Sequence, residues 1–171
     1  MTDDTRPHPA VPTTEGVWTA RGTQVTAART AEGLQVRARA GAEGLSRIVL
    51  RWRRDAPEDA RILGDAWERG YGDLQWRTLQ PDRALPWYAL ITGASGGKTT
   101  GWGVRTRAGA LCSWTVDEGG ITLWADVRSG GLPVLSGERV LDVATVVTAV
   151  APTPFAAHEA LSTAMSPDPL P

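Results

Sequence analysis

The sequence is poor in the residues from which most catalytic and metal centres are built. Its 171 residues include one cysteine, Cys112, and two histidines, His8 and His158. One thiol cannot close an internal disulfide, and this set cannot supply a multi-thiolate or histidine-rich metal site. No cofactor is implied by any motif. Asparagine is absent, which excludes N-linked sequons. No apolar run approaches the roughly eighteen residues of a membrane-spanning helix. The opening MTDDTRPHPAVPTT is polar and acidic, without the basic and apolar regions of a secretory leader. With the lone thiol, this predicts a bacterial, cytoplasmic protein that engages no membrane. A net charge of -1, with scattered arginines, supplies no field to hold nucleic acid.

What the chain does have is tryptophan: eight, against one phenylalanine and two tyrosines. Rings of this size fill cores or line concave binding surfaces. The length suits one domain with a proper core. Residues 1–14 read as a flexible lead-in. From Val17 onward, short alternating segments are punctuated by glycine. In GLQVRARA, Leu34, Val36 and Ala38 share one face, and Gln35, Arg37 and Arg39 share the other. That period of two marks a half-buried strand. SRIVLRWRR alternates less cleanly, because Val49 is apolar beside Ile48, Leu50 and Trp52.

LPWYALITG and TTGWGVRTR flank the turn GASGGK and predict a hairpin. ALCSWTVD and ITLWADVR flank Glu118-Gly119-Gly120 and predict another. RILGDAWERGYGDLQWRTL holds two candidate strands around the Gly-Tyr-Gly at 70–72, and VLDVATVVTAV reads as a strand inside a sheet. About ten strands with hairpin turns predict a mainly β fold, an antiparallel β-sandwich over residues 15–151. PFAAHEALSTAM, with Phe155, His158, Leu161 and Met165 at helical spacing, predicts a short C-terminal helix inside a connector-like tail at 152–171.

Several motifs invite a chemistry that their context denies. GASGGKT is one residue short of a phosphate-binding loop and continues into a strand, not a helix. Cys112 lies mid-strand between Leu111 and Ser113, where a buried structural thiol is expected. Asp65 and Glu68, three apart on an extended segment, point to opposite faces and cannot form the facing carboxylate pair of a glycosidase. Asp65, Trp67 and Arg69 would share one face of that segment. Carboxylate, indole and guanidinium together suit a sugar, the charged groups meeting hydroxyls while the ring stacks on C–H. A solvated strand with one anchored tryptophan fits the same residue types.

Taken in order, LGDAWERGYGDLQWRTL, LPWYALITG, GWGVRT, CSWTVDEGGITLWADVRSGG and ERVLDVATVV resemble the N-terminal β-sandwich domain of α-galactosidase-like glycoside hydrolases. These are the melibiase group, glycoside hydrolase family 36 and relatives. The resemblance spans residues 18–171 and is strongest in GDAWERGYGDLQW and GITLWADVRSGG. It implies a supersandwich of the galactose-mutarotase-like kind, leading into a (β/α)₈ barrel that carries both catalytic aspartates. A barrel of about 250 residues has no room in this chain, so no residue here inherits a catalytic role. The implied function is that of a non-catalytic accessory domain. Its partners would be a catalytic barrel, in cis or in trans, and galactosides or related sugars, with an oligomer possible. Asp65, Trp67, Glu68, Arg69 and Trp76 are the positions the resemblance places at the edge of the sugar pocket. A free-standing carbohydrate-binding module is the alternative, and an epimerase-like enzyme lacks a suitably placed histidine. The accessory role further predicts that some of Trp67, Trp76, Trp87 and Trp102 are uncovered.

Overall fold

Strands that alternate apolar and polar residues must each bury one face. The computed structural model describes residues 8–10, 15–54, 56–66, 74–134 and 139–166, and shows how they do it. One sheet contains β1 (His8–Ala10), β2 (Gly16–Ala20), β3 (Thr23–Thr30), β4 (Gly33–Arg39), β6 (Ala60–Gly64), β7 (Arg77–Thr78), β9 (Tyr88–Gly93), β10 (Thr99–Val104) and β13 (Leu141–Ala151). The second contains β5 (Arg47–Arg53), β8 (Leu85–Pro86), β11 (Leu111–Asp117) and β12 (Gly120–Asp126). The larger sheet has the order β2-β3-β4-β13-β10-β9-β6-β7, and the smaller β5-β12-β11-β8. All these pairings are antiparallel. The fold is a β-sandwich with one short helix, α1 (Pro154–Met165).

Both predicted hairpins form, β9–β10 and β11–β12, and β13 is central in its sheet. The second candidate strand of RILGDAWERGYGDLQWRTL forms only as the two-residue β7, LPWYALITG divides into β8 and β9, and β1 was not expected as a strand. His8–Ala10, read as part of the lead-in, pairs with Thr148–Val150. It lies on the side of β13 that β4 leaves open beyond Val146.

The two faces of the larger sheet are covered differently. Its inner face meets the smaller sheet through Leu34, Val36, Ile62, Ile91 and Val104, opposite Ile48, Val116, Ile121 and Leu123. Trp52, Trp102 and Trp114 meet at the centre, with ring centroids 5.1, 5.9 and 6.0 Å apart and tilted planes. That spacing lies within the range of favourable aromatic pairs. Cys112 is fully buried, as expected for a structural thiol.

Among the described residues, α1 is the element that covers the outer face. Thr153 caps the helix, its hydroxyl accepting from Ala156 N at 3.2 Å, and Pro154 supplies a fitting first residue. The helix crosses β10 where that strand carries glycine. A Cβ on Gly101 would stand 2.9 Å from Leu90, and one on Gly103 would stand 2.6 Å from Met165 Sδ. Glycine in a strand here marks close approach of another element. Ala157 and Leu161 are buried against Leu90, Val147, Ala149 and Ala151. Of the residues at helical spacing, Leu161 is turned onto the sheet, whereas Phe155 is 79% exposed. It sits about 200° from Ala157 around the axis, because the seat formed by β10 favours a face of small residues.

Candidate functional site

Strand register brings several tryptophans to one end of the sandwich. Gly64 at the end of β6 pairs with Ala89 at the start of β9, and Ile62 pairs with Arg77 at the start of β7. Asp65, Trp76 and Trp87 therefore leave or enter the sheet at the same end. Gly103, next to the last residue of β10, pairs with Tyr88 there. Thr106 N donates to Met165 O at 2.9 Å, so the last turn of α1 reaches this end too.

Trp87 is the most constrained residue of the group. It stands between β8 in one sheet and β9 in the other, so the chain changes sheets at a single position. Its φ is +64°, a conformation that costs an ordinary side chain roughly 1–2 kcal/mol. Three hydrogen bonds hold it there. Trp87 N donates to Cys112 O at 3.3 Å, and its carbonyl accepts from Val104 N at 3.1 Å and Trp114 Nε1 at 3.0 Å. The core indole of Trp114 thus fixes the backbone whose own indole is 37% exposed. Backbone strain held by surrounding structure is a recurring property of functional positions.

Leu74 and Trp76 flank the same end at 55% and 37% exposure. Asp65 is half-buried, and its Oδ1 accepts from Ala66 N at 2.9 Å. Below it, Gly64, Gln75, Arg77 and Arg83 line a pocket of about 10 Å³. Arg77 Nε is buried there without an acceptor. Burial, and then the charge of Arg77, hold Arg83 below its ordinary pKa. Donors dominate this end, and the arrangement suits hydroxyl or carboxylate acceptors beside exposed indoles.

Of the five residues placed at a sugar edge by resemblance, Asp65 and Trp76 are brought to this end. Trp67, Glu68 and Arg69 lie outside the described residues, as does the Gly-Tyr-Gly between the two strands. Trp102, expected as a candidate for exposure, is instead in the core at 7%, because its side of β10 faces the smaller sheet. Trp87 was a candidate for exposure but not for the edge itself. Its left-handed backbone has no signature in LPWYALITG, since proline before a tryptophan does not announce a positive φ.

Burial pushes the Cys112 thiol up to about 12, so it keeps its proton at neutral pH. Among the described residues, no three His, Cys, Asp or Glu side chains cluster as metal ligands. No family model matches the chain, and neither a curated protein nor a solved structure matches it.

Proposed function

We propose that this chain is a non-catalytic accessory domain of an α-galactosidase-like glycoside hydrolase. It supports a (β/α)₈ barrel, supplied in cis or in trans, and shapes the edge of that barrel's sugar pocket. The observation that carries this reading is the convergence of Asp65, Trp76 and Trp87 on one end of the sandwich, with Leu74 exposed beside Trp76. Apolar groups gathered among polar ones on a surface are a usual mark of a contact site. The indoles offer flat faces to sugar C–H groups, and Asp65 and the nearby guanidiniums offer partners for hydroxyls. Resemblance in GDAWERGYGDLQW adds the choice of sugar class. A domain following α1 would begin at this same end, where Met165 O meets Thr106 N.

The test uses the barrel of a melibiase-group enzyme expressed without its own sandwich. Alone, the present chain should not hydrolyse 4-nitrophenyl α-galactoside. Added to that barrel, it should raise turnover saturably, and Trp76→Ala with Trp87→Ala should weaken the effect. Turnover by the chain alone, or no effect on the barrel at saturation, would contradict the proposal.

A further inference from the structure

The outward face of the smaller sheet carries a second feature, made by different residues. Alternation along β12 turns Ile121, Leu123 and Ala125 into the core and leaves Thr122, Trp124 and Asp126 facing out. Register then sets their neighbours. Trp124 lies between Val49 of β5 and Ser113 of β11, and Asp126 lies between Arg47 and Leu111. Arg47, Leu111, Ser113, Thr115, Trp124 and Asp126 line a groove of about 400 Å³, within the range of small-ligand sites.

Trp124 is half-buried, although its side points away from the core. Its Nε1 donates to Thr115 Oγ1 at 2.9 Å, which ties the indole down along the sheet towards β11. The Arg47 guanidinium is 5.9 Å from the ring centroid, near the outer limit of a cation–π contact, so it flanks the ring without sealing it. Asp126 is held in place by Arg128, whose Nε lies 3.0 Å from both carboxylate oxygens, and Arg47 approaches at 3.6 Å. Those contacts hold the Asp126 carboxyl well below its ordinary pKa, at about 2. The result is an aromatic plate whose polar rim is ordered in advance: a carboxylate that accepts, a guanidinium that donates, and two hydroxyls that do either.

We propose that this groove binds a neutral oligosaccharide, stacked on Trp124 and held at its hydroxyls by Asp126, Arg47 and Ser113. A neutral ligand is favoured because the Asp126 carboxylate lies in the groove wall beside the plate, where it repels an acidic group, and both nearby guanidiniums are directed at it. An apolar ligand would leave the ordered Asp126–Arg pairs without use. Neither Trp76 nor Trp87 lines the groove, so this site does not depend on a catalytic barrel and can fail or stand independently of it.

The experiment is a titration of the full chain with raffinose, followed by ¹H–¹⁵N spectra that resolve the indole N–H groups. The Trp124 indole and the amides of Ser113, Thr115 and Asp126 should shift along one saturable curve, with a Kd on the order of 1 mM. Trp124→Phe should weaken binding at least about tenfold, equivalent to 1.4 kcal/mol. Thr115→Val, which frees the indole without touching the core, should weaken it several-fold with an unchanged melting temperature. Phe155→Ala, on the exposed side of α1, should leave the curve where it is. Absence of a saturable shift at Trp124, or a Thr115→Val chain that binds as the parent does, would overturn the proposal. So would a response to trigalacturonate with none to raffinose.

Discussion

Six of the eight tryptophans divide into two groups that share a side chain and little else. Trp52, Trp102 and Trp114 are buried together between the sheets and hold them at a fixed separation. Trp76, Trp87 and Trp124 keep part of each ring at the surface, where exposure brings no gain in folding. Parity along a strand decides the group for Trp102, Trp114 and Trp124, while backbone geometry decides it for Trp87. Trp114 connects the two groups, since its indole N–H holds the carbonyl of Trp87. A buried ring can therefore serve a surface ring, and stability and recognition can be separated by mutation only with care.

The sharpest way to break this comparison is to truncate a core ring. Trp114→Ala should cost about 3–5 kcal/mol in urea unfolding, because it leaves a large cavity and frees Trp87 O. A cost below 1 kcal/mol would place Trp114 with the surface group. Leu161→Ala should cost about 2–4 kcal/mol, read in the same way, because α1 is the sole cover of its sheet face among the described residues.

Trp87 tests whether strain is stored at the site. Trp87→Gly should be more stable than Trp87→Ala by about 1 kcal/mol, since only glycine accepts the positive φ freely. Equal stabilities would remove the strain from the account. Trp76→Ala should change stability by less than about 0.5 kcal/mol, as expected for a surface position.

Cys112 adds a chemical test of the core. Its thiol should resist a disulfide reagent at pH 8 in the native chain and react fully once the chain is unfolded. Its pKa is raised from the usual 9 to about 12, so the stability it contributes is intact below pH 9 and declines as pH rises towards 12. Rapid labelling of native protein would show that the interior opens easily.

Much of the fold was legible in the sequence because a half-buried strand must alternate. GLQVRARA declared its inner face, and Leu34, Val36 and Ala38 are all at 2% exposure or less. Glycine-rich turns declared both hairpins. Very short strands such as β1 and β8 were not legible, since two or three residues carry no period. Nor was the helix orientation, because the seat offered by Gly101 and Gly103 is a tertiary feature that helical spacing alone does not contain.

The candidate site was legible in part. Asp65 was singled out from its residue type and Trp76 through the resemblance, and pairing of β6 with β7 brings them to one end. Trp87 joins them only through register and a left-handed residue that no local pattern announces. Trp124 could have been found from ITLWADVR alone. With Ile121, Leu123 and Ala125 turned inward, a tryptophan at the opposite parity must face out, and a ring that large on a solvated face calls for a partner.

The most direct test of the central claim is the KM for 4-nitrophenyl α-galactoside of a melibiase-group barrel supplemented with this chain. The parent should be compared with the Trp76→Ala, Trp87→Ala double variant. The account predicts a KM about five- to tenfold higher for the double variant, the scale of roughly 1 kcal/mol or slightly more, while the variant still folds cooperatively. Equal KM values for the two chains would contradict the claim that this end of the sandwich borders a sugar pocket.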